Sequence, residues 1–154
     1  MKKKGFTLIE LMIVLAVIAI LAVVLIPKAG QAKNNAKNAG VTTNVNAVRG
    51  MLEQKTGANF ISDANDVRSA LEASFNATTA DADVNVVNPF SSDHKVVTSI
   101  TAGTAPAVYV ATSDPTASYS SLKGSVVVVA TATSYTVFGV DNGGTKINQV
   151  TVSK

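Results

Sequence analysis

Apolar residues crowd the start of this chain and then spread into two different periodicities. Every position from 11 to 26 is apolar, and Phe6, Thr7, Leu8, Ile9 and Glu10 lead into that run. As a helix, residues 6–26 extend about 31 Å at 1.5 Å per residue, which matches a hydrocarbon core of about 30 Å. Beyond Pro27 the apolar positions narrow to one face. Val41, Val45, Val48 and Leu52 recur at i, i+4, i+7 and i+11, the 3.6-residue period of an amphipathic helix. Gly30, Gly40 and Gly50 interrupt it, each at a cost of about 1 kcal/mol relative to alanine. The pattern predicts a helix that stops at Gly57, a residue suited to a C-cap.

After residue 58 the period shortens. Ser62 is placed to cap a short helix over 63–75, in which Val67, Leu71 and Phe75 form a stripe and Asp63 and Asp66 fall in the first turn. Residues 76–94 read as a connecting loop. The runs 107–112, 125–131, 135–140 and 146–152 are rich in Val, Thr and Tyr and predict strands. Asp141-Asn142-Gly143-Gly144 is a turn signal that closes a hairpin. The stretch 126–129 is apolar without alternation, as in a strand covered on both faces. The predicted class is α+β: a long N-terminal helix packed against a C-terminal antiparallel sheet over about 107–152. Cysteine is absent, so the C-terminal region lacks a disulfide and needs the helix face to complete its core.

Pro27 is predicted to break or open the first helix, because it cannot donate to Val23 and its ring crowds that carbonyl. The sharper anomaly is Glu10. An ionised side chain near the centre of a membrane helix costs about 2.5–3.5 kcal/mol on insertion scales, so its presence calls for a functional reason. With Lys2, Lys3, Lys4 and Gly5 ahead of it, the string Phe6-Thr7-Leu8-Ile9-Glu10-Leu11 resembles the N-terminus of the type IV pilins and the type II secretion pseudopilins. These carry a class III signal, cleaved ahead of the apolar run. An ordinary secretory signal fits poorly, since its apolar region is shorter and ends at an Ala-x-Ala type of site, which does not follow here.

The resemblance implies a pilin-like fold and an organisation: a cleaved leader at 1–5, a membrane and filament-core helix at 6–26, its amphipathic continuation at 27–57 and a globular ectodomain at 58–154. It implies cleavage between Gly5 and Phe6, N-methylation of Phe6, and assembly residues Phe6 and Glu10. The implied partners are other copies of the chain in a helical homopolymer, prepilin peptidase, the pilus or secretion machinery of the cytoplasmic membrane, and the membrane itself before assembly. The implied location is the cytoplasmic membrane for the precursor and the cell surface for the filament. Lysine counts alone do not orient the segment: Lys2, Lys3 and Lys4 are matched across it by Lys28, Lys33 and Lys37. Glu10 has two possible partners: the Phe6 amine of a neighbouring subunit, or that of its own chain.

Charge changes one further expectation. The formal net charge is +3, but loss of the three leader lysines leaves ten basic residues against ten acids, and a neutral subunit has no field to steer nucleic acid. No nucleic-acid partner, cofactor or metal is predicted. His94 beside Asp93 reads as a solvated loop histidine, and Asp114-Pro115 and 141–144 read as turns before they read as calcium ligands. Asn76-Ala77-Thr78 matches a glycosylation sequon. No nucleophile and base stand at useful spacing, so an enzyme is not expected. The reading is a structural subunit, a major type IV pilin ahead of a secretion pseudopilin. A monomeric, membrane-tethered binding module ranks last, because it would have no use for Glu10.

Overall fold

A computed structural model describes residues 5–75, 86–100 and 103–154 of the chain. The sequon at Asn76 lies outside them. The chain divides into two compact units, Met1–Asn35 and Ala36–Lys154. One helix, α1 (Leu8–Glu53), belongs to both. It is followed by α2 (Ala64–Phe75) and by strands β1 (Val96–Val97), β2 (Val108–Ala111), β3 (Val126–Ala130), β4 (Ser134–Val140) and β5 (Lys146–Ser153).

In the first unit, the large apolar side chains from Phe6 to Leu25 are between 51% and 85% exposed. This part of α1 is long and apolar enough to cross a membrane. The helix runs on through Pro27, so in the single chain the residue does not end it. It ends at Glu53, ahead of Gly57. The final turn tightens as Gln54 and Lys55 donate to the carbonyls of Met51 and Leu52, and Gly57 opens a separate 3-10 turn, Gly57–Asn59.

In the second unit, the valine stripe of α1 is core. Val41, Val45 and Val48 are fully buried, and Val45, Val48, Met51 and Leu52 join Val67, Leu71 and Phe75 of α2 in one apolar cluster with the sheet. The helix approaches β4 at Gly139, where an added Cβ would lie 2.5 Å from Val41 Cγ1. Only a residue without a Cβ lets the two backbones come so close. The cap of α2 is Asp63 instead of Ser62: its Oδ1 accepts from the amides of Asn65 at 2.8 Å and Asp66 at 3.3 Å, which satisfies donors that a helix start leaves open.

The sheet runs in the order β1-β2-β3-β4-β5, and it is not antiparallel throughout. β3, β4 and β5 are antiparallel, whereas β1 pairs with β2, and β2 with β3, in parallel. The reason lies in the connection: a parallel pair needs a crossover of a dozen or more residues, and 112–125 supplies one, containing the 3-10 turn Thr116–Ser121. The two-residue β1 is too short to leave a periodic signal. β3 is buried at all five positions. Val126, Val128 and Ala130 face the helices. Val127 and Val129 join Leu122, Phe138 and Val140 on the opposite face. The 141–144 turn links β4 to β5 as a hairpin. One bulge interrupts it: Val137 pairs with Val150 but Gly139 with Ile147, and the extra residue is taken up where Asn148 adopts φ 53. A bulge on an edge strand discourages sheet-to-sheet pairing.

Among the described residues of this unit, buried polar side-chain atoms are all hydrogen-bonded. Asn88 is fully buried; its Nδ2 donates to the Pro106 and Lys123 carbonyls at 3.0 and 2.9 Å, and its Oδ1 accepts from the Phe90 amide at 2.8 Å. Asn44 of α1 donates to the Val87 carbonyl at 2.8 Å. These two asparagines bind connecting segments that contribute little to the apolar core.

Candidate processing and assembly site

Gly5, Phe6 and Thr7 precede the first turn of α1 in extended or irregular backbone. A Cβ added at Gly5 would meet nothing within 4 Å, and Phe6 is 85% exposed. A peptide bond cut by an enzyme must be reachable on both sides, and the Gly5–Phe6 bond is flanked by open space and an exposed side chain.

Thr7 and Glu10 form a reciprocal cap at the helix start. The Thr7 amide and hydroxyl donate to Glu10 Oε2 at 2.8 and 2.7 Å, and the Glu10 amide donates back to Thr7 Oγ1 at 3.4 Å. This is the capping box, in which a Thr at the N-cap and a Glu three residues on satisfy each other's orphan donors. The Thr-x-x-Glu spacing carries that signal in the sequence, and it adds Thr7 to the Phe6 amines as a partner of Glu10. The cap assigns Glu10 a local role in the single chain and leaves its carboxylate within reach of another donor.

The other flagged residues do not gather at this place. Pro27 lies far along the helix. His94 and Asp93 are half-buried in the loop before β1. Asp114 accepts hydrogen bonds from Tyr119 Oη and Lys146 Nζ. Partial burial works against its ionisation, but those two donors and the lysine charge outweigh it and hold the carboxyl below the usual range. Asp141 Oδ1 accepts from the Thr145 amide at 2.8 Å, a turn contact. Among the described residues, no three His, Cys, Asp or Glu side chains converge as metal ligands do.

The comparisons with known proteins fall on this same segment. Residues 1–26 match the family model of the prokaryotic N-terminal methylation motif. The N-terminus is of the prepilin type. The chain is also 58% identical over 43 residues to the type IV wide pilus major component PilA4 of Thermus thermophilus, a match covering 28% of this chain and 33% of that protein. The chain thus spans about a third of the length of the curated relative it matches. No solved structure matches. Motif and likeness together support a structural role of the pilin or pseudopilin kind, and the long helix with its sheet-bearing second unit is a pilin-like α+β arrangement.

Proposed function

We propose that this chain is a structural subunit of a type IV pilus, and its major one. It is made as a membrane-anchored precursor, cut between Gly5 and Phe6 by prepilin peptidase, methylated on the Phe6 amine and polymerised through residues 6–26 into a surface filament. One observation carries the reading. A single acid, Glu10, stands in a helix segment whose large apolar side chains from Phe6 to Leu25 are exposed, directly behind a basic tip that ends in glycine. Exposed apolar side chains of that number need a hydrophobic surround, first lipid and then neighbouring helices. The acid needs a cation in both. Cleavage creates one, because the new amine on Phe6 stays basic after methylation.

Docking one subunit so that its amine meets Glu10 of a neighbour neutralises both charges and sets the axial register, since a slipped subunit leaves two unpaired. The capping box supports this order of events: Thr7 holds the carboxylate in the single chain, and the neighbour's amine adds to or replaces that contact on assembly. Within the filament we expect the helix to open from Pro27 toward residues 19–26, so that it stretches while the packing holds. The likeness to a major pilus component supports the major-subunit reading. A secretion pseudopilin would share the motif and differ in making short, cell-bound filaments.

Mass spectrometry of sheared surface material tests the proposal. Long filaments should consist mainly of this chain, and its first peptide should begin at Phe6 with one added methyl. Recovery of the Met1 peptide from filaments, or short filaments only, would overturn it.

A further inference from the structure

We infer that the basic stretch of α1 just past the apolar run docks, in the filament, against the acidic start of α2 in a second copy of this chain. The inference rests on the filament reading above and adds an electrostatic contact to it. Between Leu11 and Val48 the chain carries Lys28, Lys33 and Lys37 and no acid at all. From Arg49 onward, seven cations face nine acids. The charge of the cleaved chain is balanced, but its two signs sit on different segments.

Internal pairing does not remove the imbalance. Arg49 pairs with Glu53, Arg68 with Glu72 and Lys146 with Asp114. Lys37 is half-buried, with its Nζ 4.9 Å from the centre of the Phe90 ring. Lys28 and Lys33 are exposed. From Arg49 onward, among the described residues, the exposed acids outside any ion pair in the chain are Asp63, which caps α2, and Asp66, three positions on in its first turn. The donors that Asp63 accepts are backbone amides, which leave its charge uncancelled.

A second copy is the occupant because of what assembly does to these lysines. Parallel packing of the apolar segments brings the lysine stretches of neighbouring subunits together, within the ~8–10 Å over which charges still act on each other in physiological salt. Anionic headgroups offset that repulsion while the chain is in the membrane. They are left behind on extraction, and the charges then need a counter-charge that travels with the filament. The exposed acids of a neighbour's second unit are such a counter-charge, present in fixed proportion to the lysines.

The test uses the full chain in cells that assemble it. The K28E/K33E variant should be cut and stay in the membrane fraction, yet yield at most a tenth of the wild-type filament, while K28R/K33R assembles normally. The D63N/D66K variant keeps a competent cap, since Asn serves as well as Asp at that position, and should also assemble poorly. Combining the four changes in one chain should restore more than half of the wild-type yield. An independent measurement avoids any folding defect: the chain has no cysteine of its own, so Lys33→Cys with Asp66→Cys should give, on oxidation of filaments, a ladder of disulfide-linked dimers and higher forms. Normal assembly of K28E/K33E overturns the inference. So do its loss from the membrane fraction, which assigns the lysines to headgroups, the absence of a ladder, or a disulfide confined to single chains. Absence of filaments from the wild type would instead overturn the filament reading itself.

Discussion

Leu15 and Leu52 are the same residue on the same helix, and they are put to opposite uses. Leu15 is 55% exposed and Leu52 is 1% exposed. Around Leu15 the helix is apolar on every side and nothing in its own unit covers it. Around Leu52 the apolar residues occupy one stripe, and that stripe is filled by α2 and the sheet. Apolar content by itself therefore does not mark a core. An all-round apolar helix points to a surround supplied from outside the chain, whereas a striped one points to a core made within it.

Changing the one charged residue of the exposed segment is expected to have the largest effect. Glu10→Gln keeps the capping box, because Gln serves as well as Glu at that position, but it removes the charge. Breaking a buried ion pair costs about 3–5 kcal/mol, and ~1.4 kcal/mol is a factor of ten. The variant should be cut at Gly5 and retained in the membrane, yet enter filaments more than about a hundredfold less well. Co-expression with wild type, followed by mass spectrometry of sheared filaments, reads the fraction. Equal incorporation would mean that the cap is the whole role of Glu10.

The two leucines supply the next test. Leu52→Ala should cost the second unit about 2–5 kcal/mol and lower its Tm by about 10 °C, as read by thermal melting. Leu15→Ala should leave that melt unchanged and appear only in filament yield. A fragment beginning near Lys33 should be soluble and monomeric, because it retains the stripe and loses the all-round apolar segment. Filaments formed by that fragment alone would break the division of labour.

Reading this contrast from sequence succeeded where a period or a motif was long enough to average over. The stripe 41–52, the stripe of α2, the four long strands and the hairpin turn all have that property. Strand direction did not, because it depends on how the crossover at 112–125 is routed. Ser62 and Asp63 are both competent caps one residue apart, and their order is settled by which side chain reaches the free amides. Asn88 leaves no sequence signal as a hub, since the carbonyls it donates to come from two distant segments, at Pro106 and Lys123. At the candidate site, the motif around Gly5, Phe6 and Glu10 is legible in the sequence, and Thr7 is readable only through its spacing from Glu10.

Tyr135 offers a smaller test, inside the second unit. It is fully buried, accepts from the Ile61 amide at 2.8 Å and donates to the Lys55 carbonyl at 3.2 Å, and its ring stacks on Phe60 with centroids 4.6 Å apart. It thus ties β4 to the segment that leaves α1. Tyr135→Phe keeps the stack and leaves the Ile61 amide short of an acceptor, at about 1–3 kcal/mol. Hydrogen exchange should quicken first at residues 55–61, and an unchanged exchange pattern would remove that tie.

The smallest effect belongs to Asp114, and its sign is fixed by pH. The pair with Lys146 closes the crossover onto β5, and Lys146 Nζ also lies 4.4 Å from the centre of the Phe138 ring. Asp114 is held below its usual range and Lys146 above its own, chiefly by the bond between the two in the case of the lysine. A carboxyl lowered in the folded state adds stability that is present above its unfolded pKa, about 3.9, and is lost as pH falls through the folded value. The raised lysine adds stability present below its unfolded pKa, about 10.4, and lost as pH climbs through its folded value. Exposed pairs contribute about 0–1 kcal/mol, so Asp114→Asn should lower Tm by at most a few degrees between about pH 5 and pH 9. The gap to wild type should close in acid below the usual aspartate range and again in base above the usual lysine range. Melts across that range should therefore give a plateau with two falling ends. A gap that persists in acid would show that Asp114 does not act through its charge.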